Sequence, residues 1–368
     1  VDGSHSAYDY NSIALDASGH AHISYLDAVN YDLRYATNAS GSWVITTVDS
    51  NGEAGDFSSL ALDSKGHAHI SYYDNAYATL KYATNESGSW VTTTVDRNEY
   101  AGFTTSLALD SKGHAHISYF EGDHIELRYA TNASGSWVIT TVDSDGWVGY
   151  ESSIKLDTND KAHISYHDIS RGDLKYATNK SGKWVTTRVA SSGDVGWCTT
   201  LALDASNKAH ISYDDETNGI LCYTTNASGK WVTTTFERGG PFSSIALDAA
   251  GRIHISYPYY IYLYYATSIQ KPTAITKPAA NITNTSARLK GKVNANRLQT
   301  EVWFEWGTAS GGPYPNSSPK KVFNDGKDWQ VKYTAEGLTN ETTYYYRIAA
   351  ENEDGAVHGD EASFKTKK

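Results

Sequence analysis

The stretch His20-Ala-His-Ile-Ser-Tyr25 decides the fold of this chain, because it returns at a fixed interval. It recurs unchanged at His67–Tyr72 and His114–Tyr119, and in altered form at Lys161–Tyr166, Lys208–Tyr213 and Arg252–Tyr257. Its second histidine repeats every 47 residues through the first five copies and follows 44 residues later in the sixth. A regular period of this length predicts an array of like structural units packed side by side.

Each repeat is predicted to form four short strands, which we name a, b, c and d. In the second copy they cover Ser59–Asp63, His67–Asp74, Thr79–Asn85 and Trp90–Val95. Glycine, Asn and Asp lie at the turns, where positive φ angles or side-chain bonds to the backbone are needed. Four strands in about 47 residues are typical of one β-propeller blade, so six copies predict a six-bladed ring.

The sixth copy lacks part of this pattern. The first five copies carry a tryptophan at strand d, namely Trp43, Trp90, Trp137, Trp184 and Trp231. The sixth copy has no such tryptophan, since Tyr265-Ala-Thr is followed by Ser268-Ile-Gln-Lys-Pro, and Val1-Asp2 aligns only with the end of a strand d. The outer edge of blade six is therefore predicted to take a strand from upstream of Val1, from Ile269–Thr276 or from another molecule, since an uncovered edge favours association.

Composition limits the partners of the chain. Its 368 residues carry a formal net charge of −11, which argues against a nucleic-acid backbone or an anionic membrane. No apolar stretch approaches the roughly 18 residues of a spanning helix. The sequence contains no nucleophile motif, glycine-rich phosphate loop or Cys/His metal spacing, so no cofactor and no metal are predicted. The absence of Met and of a visible signal peptide favours a mature or trimmed product.

The residues from about Lys271 onward differ in kind. Pro272 and Pro278 mark a linker. The segment Leu338-Thr-Asn-Glu-Thr-Thr-Tyr344 and its continuation resemble the fibronectin type III pattern, carried by Leu338, Thr342, Tyr344, Ala350, Asn352 and Gly355. This resemblance implies a β-sandwich in which Tyr344 bonds back to the backbone. The predicted boundaries are 1–268 for the propeller, 269–278 for a linker or closing strand, and 279–368 for the fibronectin-like domain.

The repeats themselves also resemble a known type. The pattern Leu-Asp-x-x-Gly-x-x-His-Ile-Ser-Tyr, as at Leu62–Tyr72, is similar to the aspartate-turn blades of microbial extracellular propellers. The related Asp-box usually ends in Trp where this chain has His, so the resemblance concerns the fold. The predicted class is all-β, a six-bladed β-propeller followed by a fibronectin type III-like sandwich, and the expected location is extracellular or at the cell surface.

Two repeated polar residues are predicted to have structural roles. The histidines His22, His69, His116, His163, His210 and His254 lie on different blades and cannot converge on one ion. We expect them to be buried and hydrogen-bonded to a nearby Ser, Asp or backbone group. The aspartates Asp16, Asp63, Asp110, Asp157, Asp204 and Asp248 close strand a, and we expect them to cap the following turn.

A second acidic set follows strand b: Asp27, Asp74, Glu121, Asp168 and Asp215. The d–a loops of the same face add aromatic residues, with Tyr100, Trp147 and Trp197 as candidates. Carboxylates beside exposed rings suit the binding of glycans or of a surface protein. The alternative is that the acids finish strand b and the rings plug the channel mouth.

An enzyme requires residues that differ between blades. The candidates are Lys155, Glu151, His124 and His167, with Lys155 placed to meet Glu151 near the axis, either in a cleft or in an ordinary ion pair. The basic residues Arg34, Lys81, Arg128 and Lys175 share one position of strand c and are predicted to be solvated.

Cysteine and asparagine patterns leave alternatives open. Cys198 and Cys222 both fall in blade five, on strands whose separation of roughly 9–10 Å exceeds disulfide reach unless a loop is displaced. Asn-x-Ser/Thr acceptors for N-glycosylation occur at Asn38, Asn85, Asn132, Asn179, Asn226, Asn281, Asn284, Asn316 and Asn340. The first five also suit the chemistry of a c–d turn.

The preferred interpretation is a non-catalytic extracellular protein that binds glycans or surface proteins through the propeller loops. It rests on near-identical blades with variable, aromatic loops. One alternative is a self-assembling surface or filament subunit that uses the open edge of blade six. The other is a polysaccharide-active hydrolase or lyase.

Overall fold

The computed structural model describes residues 10–236, 239–249, 251–267, 271–296, 298–352 and 355–368. All regular structure in these residues is β-strand. The chain separates into two compact units, one of residues 1–247 with 253–266 and one of residues 248–252 with 267–368. The predicted all-β class is confirmed. No helix among the described residues is long and apolar enough to cross a membrane.

The first unit consists of successive antiparallel sheets whose strand order follows the chain. The first sheet contains β1 (Ser12–Leu15), β2 (Ala21–Leu26), β3 (Leu33–Thr37) and β4 (Val44–Asp49). The second contains β5 (Ala54–Leu62), β6 (Ala68–Asp74), β7 (Thr79–Thr84) and β8 (Val91–Asp96). The third contains β9 (Ala101–Leu109), β10 (Ala115–Glu121), β11 (Glu126–Thr131) and β12 (Val138–Asp143).

The later sheets repeat this order. The fourth contains β13 (Val148–Leu156), β14 (Ala162–Asp168), β15 (Asp173–Thr178) and β16 (Val185–Ala190). The fifth contains β17 (Val195–Leu203), β18 (Ala209–Asp215), β19 (Ile220–Thr225) and β20 (Val232–Thr235). The sixth has three described strands, β21 (Ser244–Leu247), β22 (Ile253–Tyr259) and β23 (Tyr262–Thr267).

The a–b turn shows why the repeated sequence folds this way. Asp63 Oδ1 accepts hydrogen bonds from the backbone N–H groups of Lys65 (2.9 Å) and His67 (2.8 Å). Gly66 has a φ of 85°, which glycine adopts without steric cost. The predicted capping role of the repeated aspartates is confirmed by these bonds and their equivalents at Asp16, Asp110, Asp157 and Asp204.

Strand a is longer than the sequence predicted. In the second sheet it begins at Ala54 and not at Ser59. Its pairing with β6 continues beyond Ser59 to Asp56 and Ala54, across a shift of register between Asp56 and Ser59. Such a bulge leaves extra residues without a ladder partner and bends the strand. The alternation of apolar residues breaks at this point, which is why the pattern concealed the first half of the strand.

The cores of this unit lie between consecutive sheets. Leu33 and Tyr35 of the first sheet pack with Leu60 and Ile70 of the second, and four further clusters repeat this arrangement up to the sixth sheet. The first five repeated histidines are buried beside these cores, as predicted, whereas His254 of the sixth sheet is only partly buried. In all six, the ring Nδ1 meets a tyrosine hydroxyl of strand c. In the fifth sheet the bond joins His210 to Tyr223 (2.6 Å).

Of the basic residues of strand c, Lys81 and Lys175 are buried and Arg34 and Arg128 are partly buried and paired with acids, so the prediction that they are solvated is wrong. Lys81 Nζ lies 2.7 Å from Asp49 of the preceding sheet and 3.0 Å from Asp74 of its own sheet. The hydroxyl of Tyr72 donates to the same Asp49 oxygen (2.6 Å). Arg128 and Lys175 make equivalent pairs, and these buried charges connect one sheet to the next.

The second unit is built from two sheets around one core. One sheet contains β24 (Thr273–Ala280), β25 (Ser286–Asn294) and β29 (Asp328–Glu336). The other contains β26 (Thr300–Gly307), β27 (Asn316–Ser317), β28 (Lys321–Phe323), β30 (Thr343–Asn352), β31 (Gly355–His358) and β32 (Ala362–Lys365). The Tyr344 hydroxyl accepts a hydrogen bond from Thr339 N (3.0 Å), as predicted for a corner tyrosine.

The pairing of β24 removes one source for the missing strand of the sixth sheet. Residues Thr273 to Thr276 pair with β25 in a sheet of the second unit, so that part of the predicted closing segment is not the outer strand of the sixth sheet. The aligned residues Val1-Asp2 lie outside the described part of the chain. Among described residues, β23 has no neighbour on its outer edge.

Candidate active site

An open cavity of about 680 Å³ is lined by the inner strands of the six sheets and by the residues just before β1 and β21. Its lining residues occupy equivalent positions of the repeat: Tyr10, Asn11, Phe57, Ser58, Thr104, Thr105, Glu151, Ser152, Cys198, Thr199, Thr200, Phe242, Ser243 and Ser244. This volume falls within the range of small-molecule sites. Every sheet therefore contributes the same segment of strand a to one shared space.

One lining position has an unusual backbone in every sheet. The φ angles are 64° at Tyr10, 51° at Phe57, 48° at Thr104, 50° at Glu151, 48° at Cys198 and 70° at Phe242. Non-glycine residues in this left-handed region cost roughly 1–3 kcal/mol each and persist where surrounding structure holds them. We call these six residues the cavity ring.

The cavity ring has an aromatic side and a polar side. The ring of Tyr10 lies 4.5 Å from that of Phe57 and 6.1 Å from that of Phe242. On the polar side, Thr104 Oγ1 accepts a hydrogen bond from Glu151 N (2.9 Å), and the Glu151 carboxylate accepts one from Cys198 N. A ligand in the cavity would meet apolar rings on one side and a carboxyl group on the other.

Two carboxyl groups near this side hold their protons unusually well. Burial raises the pKa of Glu151, against the hydrogen bond from Cys198 N, which favours the ionised form. Burial, and then the charges of Glu216, Asp215 and Glu151, raise the pKa of Asp214 to about 7. The Oδ1 atom of Asp214 is buried and has no hydrogen-bond partner among the described residues. Asp214 therefore exchanges its proton within the range in which enzymes work.

The two cysteines are free thiols. Cys198 lines the cavity, and burial, followed by the charge of Glu151, raises the pKa of its thiol. Since the thiolate is the nucleophilic form, this thiol is not activated for attack.

Lys155 does not join Glu151. It lies four residues further along β13, which corresponds to about 13 Å of extended chain, and it forms no ion pair with a described residue. Its side chain is exposed to solvent. Enough protein nevertheless surrounds its ammonium group that desolvation lowers its pKa. The predicted meeting of these two residues, in a cleft or as an ion pair, is therefore absent among the described residues.

The five acids that follow strand b are buried in the structure. Asp27, Asp74, Glu121, Asp168 and Asp215 each accept a backbone N–H bond from the b–c loop. The first four also lie within 4 Å of a basic side chain of strand c. These carboxylates face their own loops and do not form an exposed ring, which is the alternative that the sequence left open.

The three predicted aromatic residues lie around the loops. Tyr100 and Trp147 are exposed, and the Trp147 ring stacks on Phe120 at 6.5 Å. Trp197 lies 4.4 Å from the buried ring of His167, and its Nε1 donates to Asp194 (3.0 Å). None of the three lines the cavity, whose aromatic side is formed by other rings.

The sequence analysis did not single out Cys198 and Asp214 as site residues. A signal for them was present, because the repeats are nearly identical and differ mainly where strand a bends and at the end of strand b. The residues aligned with Asp214 are Leu26, Tyr73, Phe120, His167 and Pro258. In a repeat protein, a residue that differs from its equivalents in the other sheets is a candidate for a role that belongs to its own sheet alone.

One group of side chains has the composition of a metal site. Glu121, Asp123 and His124 offer ligand atoms within 4.8 Å of one another. However, Arg128 Nη2 lies 3.7 Å from Glu121, and His124 Nδ1 is already bonded to that carboxylate (3.0 Å). The nearby guanidinium charge disfavours a cation, so we assign no metal to this loop.

The five repeated asparagines use their side chains in the c–d turn. Asn38 Oδ1 accepts a hydrogen bond from Ala21 N (2.8 Å), and Asn85, Asn132, Asn179 and Asn226 make the same bond in later sheets. Each bond ties the turn to strand b. Their use as glycan acceptors, and that of Asn281, Asn284, Asn316 and Asn340, stays a prediction.

Comparisons with known proteins establish the fold. No protein-family model matches the sequence, and no curated protein is significantly similar. A solved protein of unknown function from Dyadobacter fermentans is 11% identical, with a TM-score of 0.52, over 72% of this chain and 93% of that one. The Hadza microbial sialidase Hz136 is 13% identical (TM-score 0.47; 71% and 65% covered), and an α-L-arabinofuranosidase from Fusarium graminearum is 10% identical (TM-score 0.46; 67% and 87% covered).

These comparisons contradict the preferred functional interpretation. The similar structures include the sialidase and the arabinofuranosidase, with an exo-β-1,3-galactanase and a polysaccharide lyase at TM-scores of 0.39. The prediction of a non-catalytic adhesion protein, and the conclusion that the chain is not an enzyme, are therefore wrong. At these identities the likeness shows the fold alone, so the activity must be argued from the site.

Proposed function

We propose that the first unit is a hydrolase of neutral glycans, with its reaction centre at the polar side of the cavity ring. The observation that carries the proposal is a pair of carboxyl groups whose charges interact. Glu151 lines the cavity, and Asp214 is buried outside the cavity lining with a pKa raised to about 7. Glycosidic bonds are commonly cleaved by two carboxyl groups, one protonated and one ionised. Environments that shift such groups separate the two roles.

The two residues take different parts in this reaction. Glu151 lines the cavity and delivers its proton to the leaving glycosidic oxygen. The Glu151 carboxylate so formed then takes a proton from the attacking water. Asp214 does not line the cavity and acts on Glu151 through its charge. Because their charges interact, the pair shares protons, and the pH profile of the rate reports the pair and not either residue alone.

The lining of the cavity defines the class of substrate. The apolar rings of Tyr10, Phe57 and Phe242 suit the C–H face of a sugar, while hydroxyl and carboxyl side chains opposite suit sugar hydroxyls. No basic side chain is among the lining residues, and the chain carries a net charge of −11. Sialic acids and uronic acids would be repelled, which favours a neutral glycan and a hydrolase over a lyase.

The rest of the chain fits an extracellular setting. We infer that the six sheets are the blades of one propeller, and that the second unit is a fibronectin type III-like spacer. Since β24 (Thr273–Ala280) already belongs to that unit, the spacer begins before the predicted boundary at 279, and the predicted linker at 269–278 is shorter. The corner-tyrosine bond of Tyr344 supports this inference for the spacer. Secretion follows from the proposed action on polysaccharides.

The test is an activity screen with matched variants. The purified chain is incubated with neutral and uronate-containing polysaccharides, and newly formed reducing ends are measured. We expect activity on a neutral polymer and a loss of at least 100-fold in kcat for Glu151→Gln and for Asp214→Asn. Glu86→Gln, in an exposed c–d turn, is the control and should retain full activity.

Two results would overturn the proposal. One is a folded wild-type chain without activity on any neutral glycan. The other is a Glu151→Gln variant as active as the control. Cleavage of uronate polymers with formation of an unsaturated product would replace the hydrolase by a lyase.

A further inference from the structure

One position of strand a carries alanine in five sheets and lysine in the fourth. The alanines are Ala14, Ala61, Ala108, Ala202 and Ala246, and the lysine is Lys155. Strand a pairs with strand b in the same register at this position in the second and fourth sheets. The strand is therefore unchanged, and an ammonium group takes the place of a methyl group on it.

Lys155 lacks the acidic partners of the two lysines in strand c. Lys81 and Lys175 each lie 2.5–3.6 Å from two carboxylates. The Lys155 ammonium group has no hydrogen bond or ion pair with a described residue, and desolvation alone lowers its pKa. Charges that a protein surrounds are normally paired, because an unpaired one costs free energy. The counter-charge of Lys155 is therefore not part of the described chain.

Four serine hydroxyl groups lie two residues before this position on strand a. Each accepts a hydrogen bond from a backbone N–H group of the next sheet, at 3.0–3.2 Å, and the four serines are Ser12, Ser59, Ser106 and Ser153. A serine hydroxyl also donates one hydrogen bond. None of the four donates to a described residue, and all four side chains are only partly buried. Their O–H groups therefore remain as donors for a ligand.

The serine hydroxyls and the Lys155 ammonium group face the same space between the inner strands. Thr200 and Ser244 occupy the serine position in the fifth and sixth sheets, and both line the cavity. Side chains two residues apart on a strand lie on the same face, so Lys155 follows Ser153 on that face. Their Cα atoms are about 7 Å apart along the strand, and the flexible four-carbon stem of lysine reaches back towards the hydroxyls.

We propose that the space between the inner strands, next to the cavity, binds a small monovalent anion such as chloride or formate. The Lys155 ammonium group supplies the positive charge, and the O–H groups at the position of Ser153 supply further donors. Because one ammonium group neutralises one negative charge, a divalent anion would keep a charge unpaired in a partly desolvated site. This inference does not depend on the proposed activity, since Lys155 is not among the residues that line the cavity.

Thermal unfolding at increasing concentrations of sodium chloride or sodium formate tests the site. An anion that binds only the folded chain raises the thermal midpoint in proportion to the logarithm of its concentration above its Kd. The wild-type chain should show this rise in addition to a general effect of salt, and Lys155→Ala should show the general effect alone. Lys65→Ala removes an exposed lysine of an a–b turn and is the matched control, which should respond as the wild type does.

The substitution itself is expected to leave the fold intact. Lys155→Ala restores the residue of the other five sheets, so without added chloride or formate its thermal midpoint should equal or exceed that of the wild type. An equal response of the wild type and Lys155→Ala to both salts would overturn the proposal. A larger response to sodium sulfate at the same ionic strength, lost in Lys155→Ala, would contradict the monovalent charge of the ligand.

Two further measurements locate the anion. In the double variant Lys155→Ala/Ala108→Lys the ammonium group moves to the equivalent position of the third sheet, and the response to chloride should return because the hydroxyls are shared. A folded double variant without that response would contradict their role. Crystals grown with bromide should show an anomalous peak within hydrogen-bond distance of Lys155 Nζ. A peak without any response to chloride in solution would mean binding at crystal concentration only and would count against the site.

Discussion

Two positions of the same inner strand, two residues apart, follow opposite rules. At one of them every sheet has Ser or Thr, as at Ser59, whose hydroxyl accepts a hydrogen bond from Leu107 N of the next sheet (3.0 Å). At the other, as at Phe57, the residue changes from sheet to sheet and the backbone has a positive φ. The constant position joins sheets, and the changing position lines the cavity. The repeated Ser or Thr stabilises the contact between sheets, and the residue that varies between sheets determines which side chains line the cavity.

The largest expected effect concerns another contact that joins one sheet to the next. Asp49→Ala removes the partner of the buried Lys81 ammonium and of the Tyr72 hydroxyl, and leaves a buried charge with Asp74 alone. Removing one member of a buried ion pair commonly costs about 3–5 kcal/mol. We expect a loss of that size in the free energy of unfolding from urea titration.

The fifth sheet supplies the matched control for this prediction. Its Cys222 and Tyr213 occupy the positions of Lys81 and Tyr72, and Ala190 of the preceding, fourth sheet occupies the position of Asp49. The double variant Asp49→Ala/Lys81→Cys copies that arrangement and removes the ammonium that Asp49→Ala leaves with Asp74 as its one acidic partner. It should therefore be more stable than Asp49→Ala alone. A double variant that loses as much as both single variants together would show that the charge is not the cause.

The sequence predicted the repeated part of this molecule well, because periodicity reports packing. The spacing of His69 and Asp63 implied buried, capped positions, and the structure confirms both. The same reasoning misplaced Lys81, since a charged residue alternating with apolar ones looks solvated until its partners in the neighbouring sheet are known. The contact joins residues 32 apart, and no local pattern reports it.

The site was only partly predictable for a related reason. Glu151 stood out as a candidate because it breaks the repeat, but its pairing with Lys155 did not form, since a bulge separates their places on the strand. Asp214 was missed because its raised pKa arises from burial and from Glu216, Asp215 and Glu151 together. Such a property depends on three-dimensional surroundings, while sequence shows only that the residue differs from its equivalents.

A second prediction concerns the pH dependence of the free energy of unfolding. The pKa of Asp214 is raised to about 7 in the folded chain, above its usual value near 3.9, so the folded state binds more protons between these values. Stability should therefore fall as pH rises from about 4 to about 7, by at most about 1.4 kcal/mol per pH unit. Asp214→Asn cannot ionise and should flatten this fall in urea unfolding measured across the range.

The control lies in the same sheet. Asp204 is a turn cap whose pKa is lowered by hydrogen bonds from Lys208 N and Ser206 N, against the effect of burial. Its ionised form favours the fold above its unfolded pKa, so Asp204→Asn should lower stability at neutral pH and leave the decline from Asp214 in place. An unchanged pH slope in Asp214→Asn would contradict the assignment of that proton.

The smallest expected effect concerns strain at the changing position. Thr104 has a φ of 48°, and its Oγ1 accepts the hydrogen bond from Glu151 N. Asn adopts this left-handed region more readily than Thr and keeps an acceptor oxygen. Thr104→Asn should therefore stabilise the chain by about 1 kcal/mol, measured as a higher urea midpoint.

The neighbouring Thr105 is the control, since it is buried and its hydroxyl donates to Ser71 (2.9 Å). The change Thr105→Asn should destabilise the chain, because no backbone strain is relieved there and this hydroxyl is lost. Opposite signs at adjacent residues would place the strain in the cavity ring itself, whereas equal signs would show that the strand tolerates Asn generally and stores no strain there.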